Sequence, residues 1–275
     1  MKVAVAQLAC RQNQPLENFR RAADWMSRAA SNRADLILFP ELFNTGCTAD
    51  AISSGGIEKN GAELAELCDL SAKLKIAVII GLAEQAQSAE HSAATDPAAN
   101  TDVFNSCFFI TPDSGVIQSY RKTHLCPYPP FFENLILKPG SEAAAIDYLG
   151  FKIGLTICFD LRFPEFYRNL AASGCNLIIN CASWPRVRVQ HWETLLAARA
   201  IENQAFIVAA NQVGSHKDLV FAGKSKIIDP LGEVLVEGGS DSEELLSAEL
   251  DPKRCAEVRK AAPVLDLRRI ELYGS

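Results

Sequence analysis

Short apolar runs separated by longer amphipathic stretches set the rhythm of this 275-residue chain. Runs of four to eight apolar residues between turn signals read as buried strands, and the 3.6-residue stretches between them as helices. On that basis residues 3–8, 35–39, 76–82, 104–111 and 116–121 are strands in the first half, with helices at 16–30 and 62–74. In the second half, strands at 143–148, 152–157, 176–180, 205–211, 226–228, 234–236 and 244–250 surround helices at 164–172 and 189–203. Leu36, Ile37, Leu38 and Phe39 are apolar in succession, the pattern of a strand covered on both faces. Pro112-Asp113-Ser114-Gly115, Gly150 and Asp229-Pro230-Leu231-Gly232 supply hairpin turns. Residues 83–100, rich in Ala, Ser, Gln and Asp, read as a surface loop or insertion.

Two βαβ-rich halves without a linker make one α/β domain over residues 1–275, with internal pseudo-symmetry but no sequence repeat. With 48% hydrophobic and 22% charged residues, the chain is neither disordered nor fibrous. Its formal charge of −6 and scattered Lys and Arg argue against a nucleic-acid or anionic-membrane partner. No apolar run approaches the ~20 residues of a membrane span. The segment before Cys10 resembles a lipoprotein signal, but its apolar core is short and broken by Gln7, so a buried first strand is the reading preferred. Nine cysteines without C-x-x-C spacing point to reduced thiols and a cytoplasmic protein.

Common cofactor motifs fail. Gly223-Lys224-Ser225 looks like the end of a phosphate loop, but Asp218 stands where its glycine is required. His91, His124, His191 and His216 lack metal-ligand spacing, so no metal is expected. What remains are three polar residues at strand ends, where α/β sheets place their sites. Glu41 follows the 35–39 strand, Lys122 the 116–121 strand, and Cys158 the 152–157 strand. Singly, each has an ordinary structural explanation: solvated strand end, surface charge, inert buried thiol. Converging, they supply a base, a cation and a nucleophile.

Their contexts, Phe-Pro-Glu-Leu at 39–42, Arg-Lys-Thr-His-Leu at 121–125 and Cys-Phe-Asp-Leu-Arg-Phe-Pro-Glu at 158–165, resemble the three signature blocks of the nitrilase (carbon–nitrogen hydrolase) superfamily in order and separation. Ala-Val-Ala-Gln at 4–7, the 191–204 segment, Gly-Lys-Ser at 223–225, Asp-Pro-Leu-Gly at 229–232 and the 267–273 segment extend the resemblance along the whole chain. The resemblance implies a four-layer αββα sandwich of two mixed sheets with outer helices. It also implies Glu41, Lys122 and Cys158 as the catalytic set, with Glu133 a second glutamate before Pro139-Gly140. Pro127–Pro130 is less typical of the family, and Phe159 stands where many relatives carry Tyr; the backbone N–H of either residue can serve an oxyanion.

The chemistry expected is covalent. Cys158 attacks an amide carbonyl with Glu41 as base, helped by Lys122 and the N-terminus of the following helix. Lys122 and the Phe159 N–H hold the oxyanion, and Glu133 orients Lys122 or water; no cofactor is needed. Arg162 and Glu165 are read as fixing the turn and helix start. Trp184 reads equally as pocket wall or core, while Arg186 and Arg188 are solvated loop charges or ligands for a substrate carboxylate. The blocks look most like the amidase branch, which includes ω-amidases, so the expected substrate is a small linear amide, the ω-amide of a dicarboxylic acid. The alternatives are an N-carbamoyl amine or amino-acid hydrolase, a nitrilase proper, and a catalytically silent binding module. The resemblance further implies a homodimer, with residues 252–275 as a C-terminal tail that contacts a second subunit or packs on its own.

Overall fold

The computed structural model describes residues 1–49, 51–52, 56–87 and 101–273. Its first sheet joins β15 (Glu244–Glu249), β1 (Lys2–Gln7), β2 (Leu36–Leu38), β4 (Ala77–Gln87), β5 (Thr101–Thr111) and β6 (Gly115–Arg121) in that order, with β3 (Ile57–Glu58) paired to β4. The second runs β14 (Val234–Glu237), β13 (Lys226–Ile228), β10 (Phe206–Asn211), β9 (Leu177–Ala182), β8 (Phe151–Ile157) and β7 (Ala144–Tyr148), while β11 (Ser215–His216) and β12 (Leu219–Val220) pair by themselves. In each, three parallel strands carry one antiparallel strand on one flank and two on the other. That is the pseudo-symmetry expected of the two halves, written in topology rather than in residue identities.

Alternation along the strands builds the layers. Val3, Val5, Leu36, Leu38, Ile79 and Phe109 face the second sheet and share one core with Ile153, Leu155, Ile157 and Ile179. Ala4, Ala6, Ile37, Phe39, Val78 and Ile80 face outward onto Trp25 and Met26 of α1 (Pro15–Ser31) and Leu64 and Leu67 of α2 (Ala62–Leu74). The outer face of the second sheet is covered by α3 (Pro164–Ala172) and α4 (Val189–Asn203), whose Tyr167, Leu170, Trp192 and Leu196 are buried. The result is the αββα sandwich. At its centre Cys107 Sγ on β5 lies 3.6 Å from Cys181 Sγ on β9, sheet against sheet.

One segment departs from the sequence reading. Residues 83–87 are not loop: they continue β4, and Gln87 pairs with Thr101 at the start of β5. Their Ala and Gln content masked a long two-stranded ribbon whose outer end is solvated. The remainder of the expected insertion, 88–100, lies outside the described residues. At the other end, α5 (Pro252–Ala261) packs on its own chain through Cys255 and Val258, and Arg259 donates to the Cys175 and Gln204 carbonyls.

Candidate active site

Parallel strands end on one edge, and the residues just past those ends converge there. Glu41 follows β2 by way of Phe39, whose N–H still bonds Ile79 O on β4. The chain then turns sharply. Leu42 has φ +49°, and Phe43 N–H donates to Gly81 O. A Cβ on Gly81 would lie 2.7 Å from Glu41 Cα and 2.8 Å from Pro40 O, so β4 approaches this turn as only glycine allows.

Lys122 follows β6, its N–H bonded to Asn105 O and its carbonyl to Gly140 N–H. Glu133 opens a single 3-10 turn, Glu133–Leu135, after Phe132 at φ +44°. Cys158 follows β8 at φ +42°, a strained left-handed conformation for a non-glycine residue, and opens the 3-10 turn Cys158–Arg162. That turn, rather than a helix N-terminus, follows the sulfur directly; α3 begins only at Pro164. Asp160 locks the turn: its carboxylate accepts from Ile157 N–H, the Tyr120 hydroxyl and the His124 backbone, tying the Cys158 segment to the Lys122 segment.

All four polar side chains are buried. Lys122 Nζ stands 2.7 Å from Glu41 Oε1 and 2.8 Å from each of the two Glu133 carboxylate oxygens. Glu41 Oε2 accepts from Ser183 N–H at 2.8 Å, just past β9, and Glu133 Oε2 from Cys126 N–H at 2.7 Å. Gln212, just past β10, donates to Glu41 O and to the Ser183 hydroxyl. Burial opposes the Lys122 charge, but Glu133 and Glu41 outweigh it and hold the ammonium well above its ordinary pKa. Burial raises the Glu133 carboxyl; Lys122 opposes this and Glu41 adds to it. Burial, then the Glu41 charge, push the Cys158 thiol well above its usual value, and Lys122 does not reverse them. These surroundings favour the thiol over a preformed thiolate at Cys158.

Glu41, Lys122, Glu133 and Cys158 all open on one cavity of about 110 Å³, walled by Trp184, Phe159, Tyr128 and Leu219 among others. Trp184 is both wall and core: it lines the cavity, packs on Trp192 at 5.5 Å and donates from Nε1 to Arg188 O. Phe159 lines the cavity from within the 3-10 turn. Arg186 does not line it; its guanidinium turns away to Ser240 O and Asp241. Arg188 does, together with Arg162, whose guanidinium lies over the Trp184 ring at 4.7 Å. Arg162 makes no ion pair with Glu165. Among the described residues neither Arg162 nor Arg188 has a carboxylate partner. Burial and the neighbouring Arg188 lower the Arg162 pKa.

Sequence reasoning missed Asn105, Ser183 and Gln212. Asn105 was visible as a polar residue inside the apolar 104–111 run, a position that needs buried partners. Ser183 holds the Glu41 carboxylate through its backbone N–H, and Gln212 holds the Glu41 backbone carbonyl; sequence carries no signal for either contact.

The family model described as carbon–nitrogen hydrolase matches residues 2–260. A 2-oxoglutaramate amidase of Bacillus subtilis is 37% identical over 259 residues, covering 94% of each chain. An omega-amidase of Mus musculus is 28% identical, covering 94% of this chain and 91% of its own. Among solved structures, a mutant of the amidase from Nesterenkonia sp. AN1, bearing acrylamide added at its active site cysteine, superposes with a TM-score of 0.81. It is 26% identical, over 99% of this chain and 98% of its own.

Proposed function

The chain belongs to the carbon–nitrogen hydrolase family and hydrolyses amides, and we propose that it cleaves the ω-amide of a small dicarboxylic acid through a Cys158 thioester. The observation that carries this reading is the cavity itself. A thiol sits beside a buried Glu–Lys–Glu cluster, and two guanidinium groups with no carboxylate partner among the described residues line the same space. A short acyl chain with an amide at one end and a carboxylate at the other matches that polarity. The relatives named for 2-oxoglutaramate and ω-amides act on substrates of this kind.

Each step follows from the geometry. Glu41 takes the Cys158 proton while the sulfur pair forms the C–S bond and the carbonyl pair moves to oxygen. Lys122 gives one N–H to Glu41 and one shared between the two Glu133 oxygens, and its third serves that oxyanion, with the Phe159 N–H as the second donor. The C=O bond re-forms, the C–N bond breaks with its pair on nitrogen, and Glu41 returns the proton, releasing ammonia. Water then yields a proton to Glu41 and attacks the thioester. Collapse breaks the C–S bond, and the sulfur recovers the proton as the acid leaves. Glu133 keeps Lys122 aimed.

Ammonia release from succinamate, 2-oxoglutaramate, glutamine, butyramide, an N-carbamoyl amine and a small nitrile tests the assignment. The expected result is preference for the ω-amido acids, with Arg188→Ala raising KM for them and leaving butyramide unchanged. Preference for the carbamoyl compound or the nitrile would overturn the substrate while keeping the nucleophile.

The assembly proposed is a homodimer in the cytoplasm. Val264, Leu267, Ile270, Leu272 and Tyr273 are exposed apolar side chains on the C-terminal segment, a surface suited to a second copy. The cysteines are all free thiols, which suits a reducing compartment. Sedimentation showing a monomer after Leu267→Asp and Ile270→Asp, and a dimer before, is the expected outcome.

A further inference from the structure

Four atoms at the base of the site form a closed ring. Glu41 Oε1 and Glu133 Oε1 are its acceptors, and Lys122 Nζ is one donor bridging them. The opposite donor is Asn105 Nδ2, 2.8 Å from Glu41 Oε1 and 3.1 Å from Glu133 Oε1. Asn105 is fully buried on β5, and among the described residues its carbonyl Oδ1 has no hydrogen-bond partner. The orientation of the amide is fixed by its surroundings. A flip would aim Oδ1 at two carboxylate oxygens, so both N–H groups must point into the ring. An orphaned buried carbonyl is costly, and keeping it so identifies the donors as the reason for the residue.

A carboxylate oxygen offers two lone pairs. On Glu41 Oε1 both are taken, by Lys122 Nζ and Asn105 Nδ2. On Oε2 one is taken, by Ser183 N–H, and among the described residues nothing takes the other. We propose that Asn105 is a positioning residue that, by closing the ring with Lys122, saturates Glu41 Oε1 and makes Oε2 the single working base for the Cys158 proton. The same N–H pair holds Glu133 against Lys122 across the ring, so one strand residue sets both carboxylates. This deepens the proposed thioester mechanism and rests on it.

Without the donor, Oε1 regains a lone pair and competes with Oε2 for the proton. Hydrogen bonds to a carboxylate favour its charged form, so their loss also favours protonation. Two readouts separate this from a merely structural asparagine: the split between kcat and KM, and the acid limb of the pH profile.

The test compares Asn105→Leu, Asn105→Ser and Cys158→Ala on the preferred amide, with melting curves to establish folding. In Asn105→Leu we expect kcat to fall on the order of 100-fold with KM little changed. Its acid limb of kcat/KM should move up by about one pH unit. Asn105→Ser, which keeps one donor in a smaller side chain, should fall between it and wild type; it carries the test if the leucine variant does not fold. A folded Asn105 variant with wild-type kcat and an unmoved acid limb overturns the positioning role, while a dead Cys158→Ala keeps the thioester reading. Turnover by Cys158→Ala overturns both.

Discussion

Lys122 holds together charges that would otherwise repel in a water-poor site, and its removal separates two effects. In Lys122→Met the shape is nearly kept, but Glu41 and Glu133 face each other without their cation. Breaking a buried pair this way costs about 3–5 kcal/mol. Loss of the oxyanion donor proposed for Lys122 adds a fall in kcat of about 100- to 1,000-fold. Urea denaturation and single-substrate kinetics measure the two separately. The Cys158 thiol makes a second residue-scale prediction. Burial and Glu41 push it well above its ordinary value, so thiolate is scarce at pH 7 unless Glu41 takes the proton. Alkylation by an amide-like reagent such as chloroacetamide, which docks as substrate does, should be fast in wild type and slow in Glu41→Gln. Alkylation as rapid in Glu41→Gln would show that no base is needed.

At the scale of elements, the site depends on how closely β4 approaches the turn after β2. Gly81→Ala puts a methyl group against backbone atoms of Pro40 and Glu41, which cannot rotate away. Overpacking of this kind costs about 1–3 kcal/mol. The displaced Glu41 should lower kcat by up to about 100-fold. Thermal melting and kinetics on the one variant check both parts. Asp160→Asn should act from the other sheet, since Asp160 joins the Tyr120 hydroxyl to the Ile157 N–H across the site. How much of this was legible follows from the kind of interaction. The 62–74 helix was read at its observed bounds because its periodicity is local. That Glu41, Lys122 and Cys158 converge is legible because strand ends and motif blocks mark all three. Strand β3, two residues long, has no periodicity to read, and residues 83–87 join a strand only because β5 lies beside them. Arg186 and Arg188 were indistinguishable as two loop arginines. The loop holding Asp241, far away in sequence, draws Arg186 off and leaves Arg188 at the cavity.

Over the whole molecule, two pseudo-symmetric sheets bury thiols in their shared core and beneath their helices, and this shapes the response to alkali. Burial pushes Cys10 up to about 12 and Cys255 up to about 11, from ordinary values near 9. A raised folded-state pKa contributes stability that is whole below the unfolded value and is lost as pH rises through the folded one. Melting temperature should therefore hold to about pH 9 and fall through pH 11–12, with Cys255 alone accounting for about 3 kcal/mol. In Cys255→Ala, whose packing loss is independent of pH, the fall should be shallower. The central claim is covalent: the substrate's acyl group passes through the Cys158 sulfur. Rapid acid quench during steady-state turnover of succinamate, followed by peptide mass mapping, tests it most directly. The account predicts a succinyl mass on the peptide containing Cys158, absent from Cys158→Ala, which releases no ammonia. Ammonia release by Cys158→Ala, or a succinyl mass on any other cysteine instead, would contradict it.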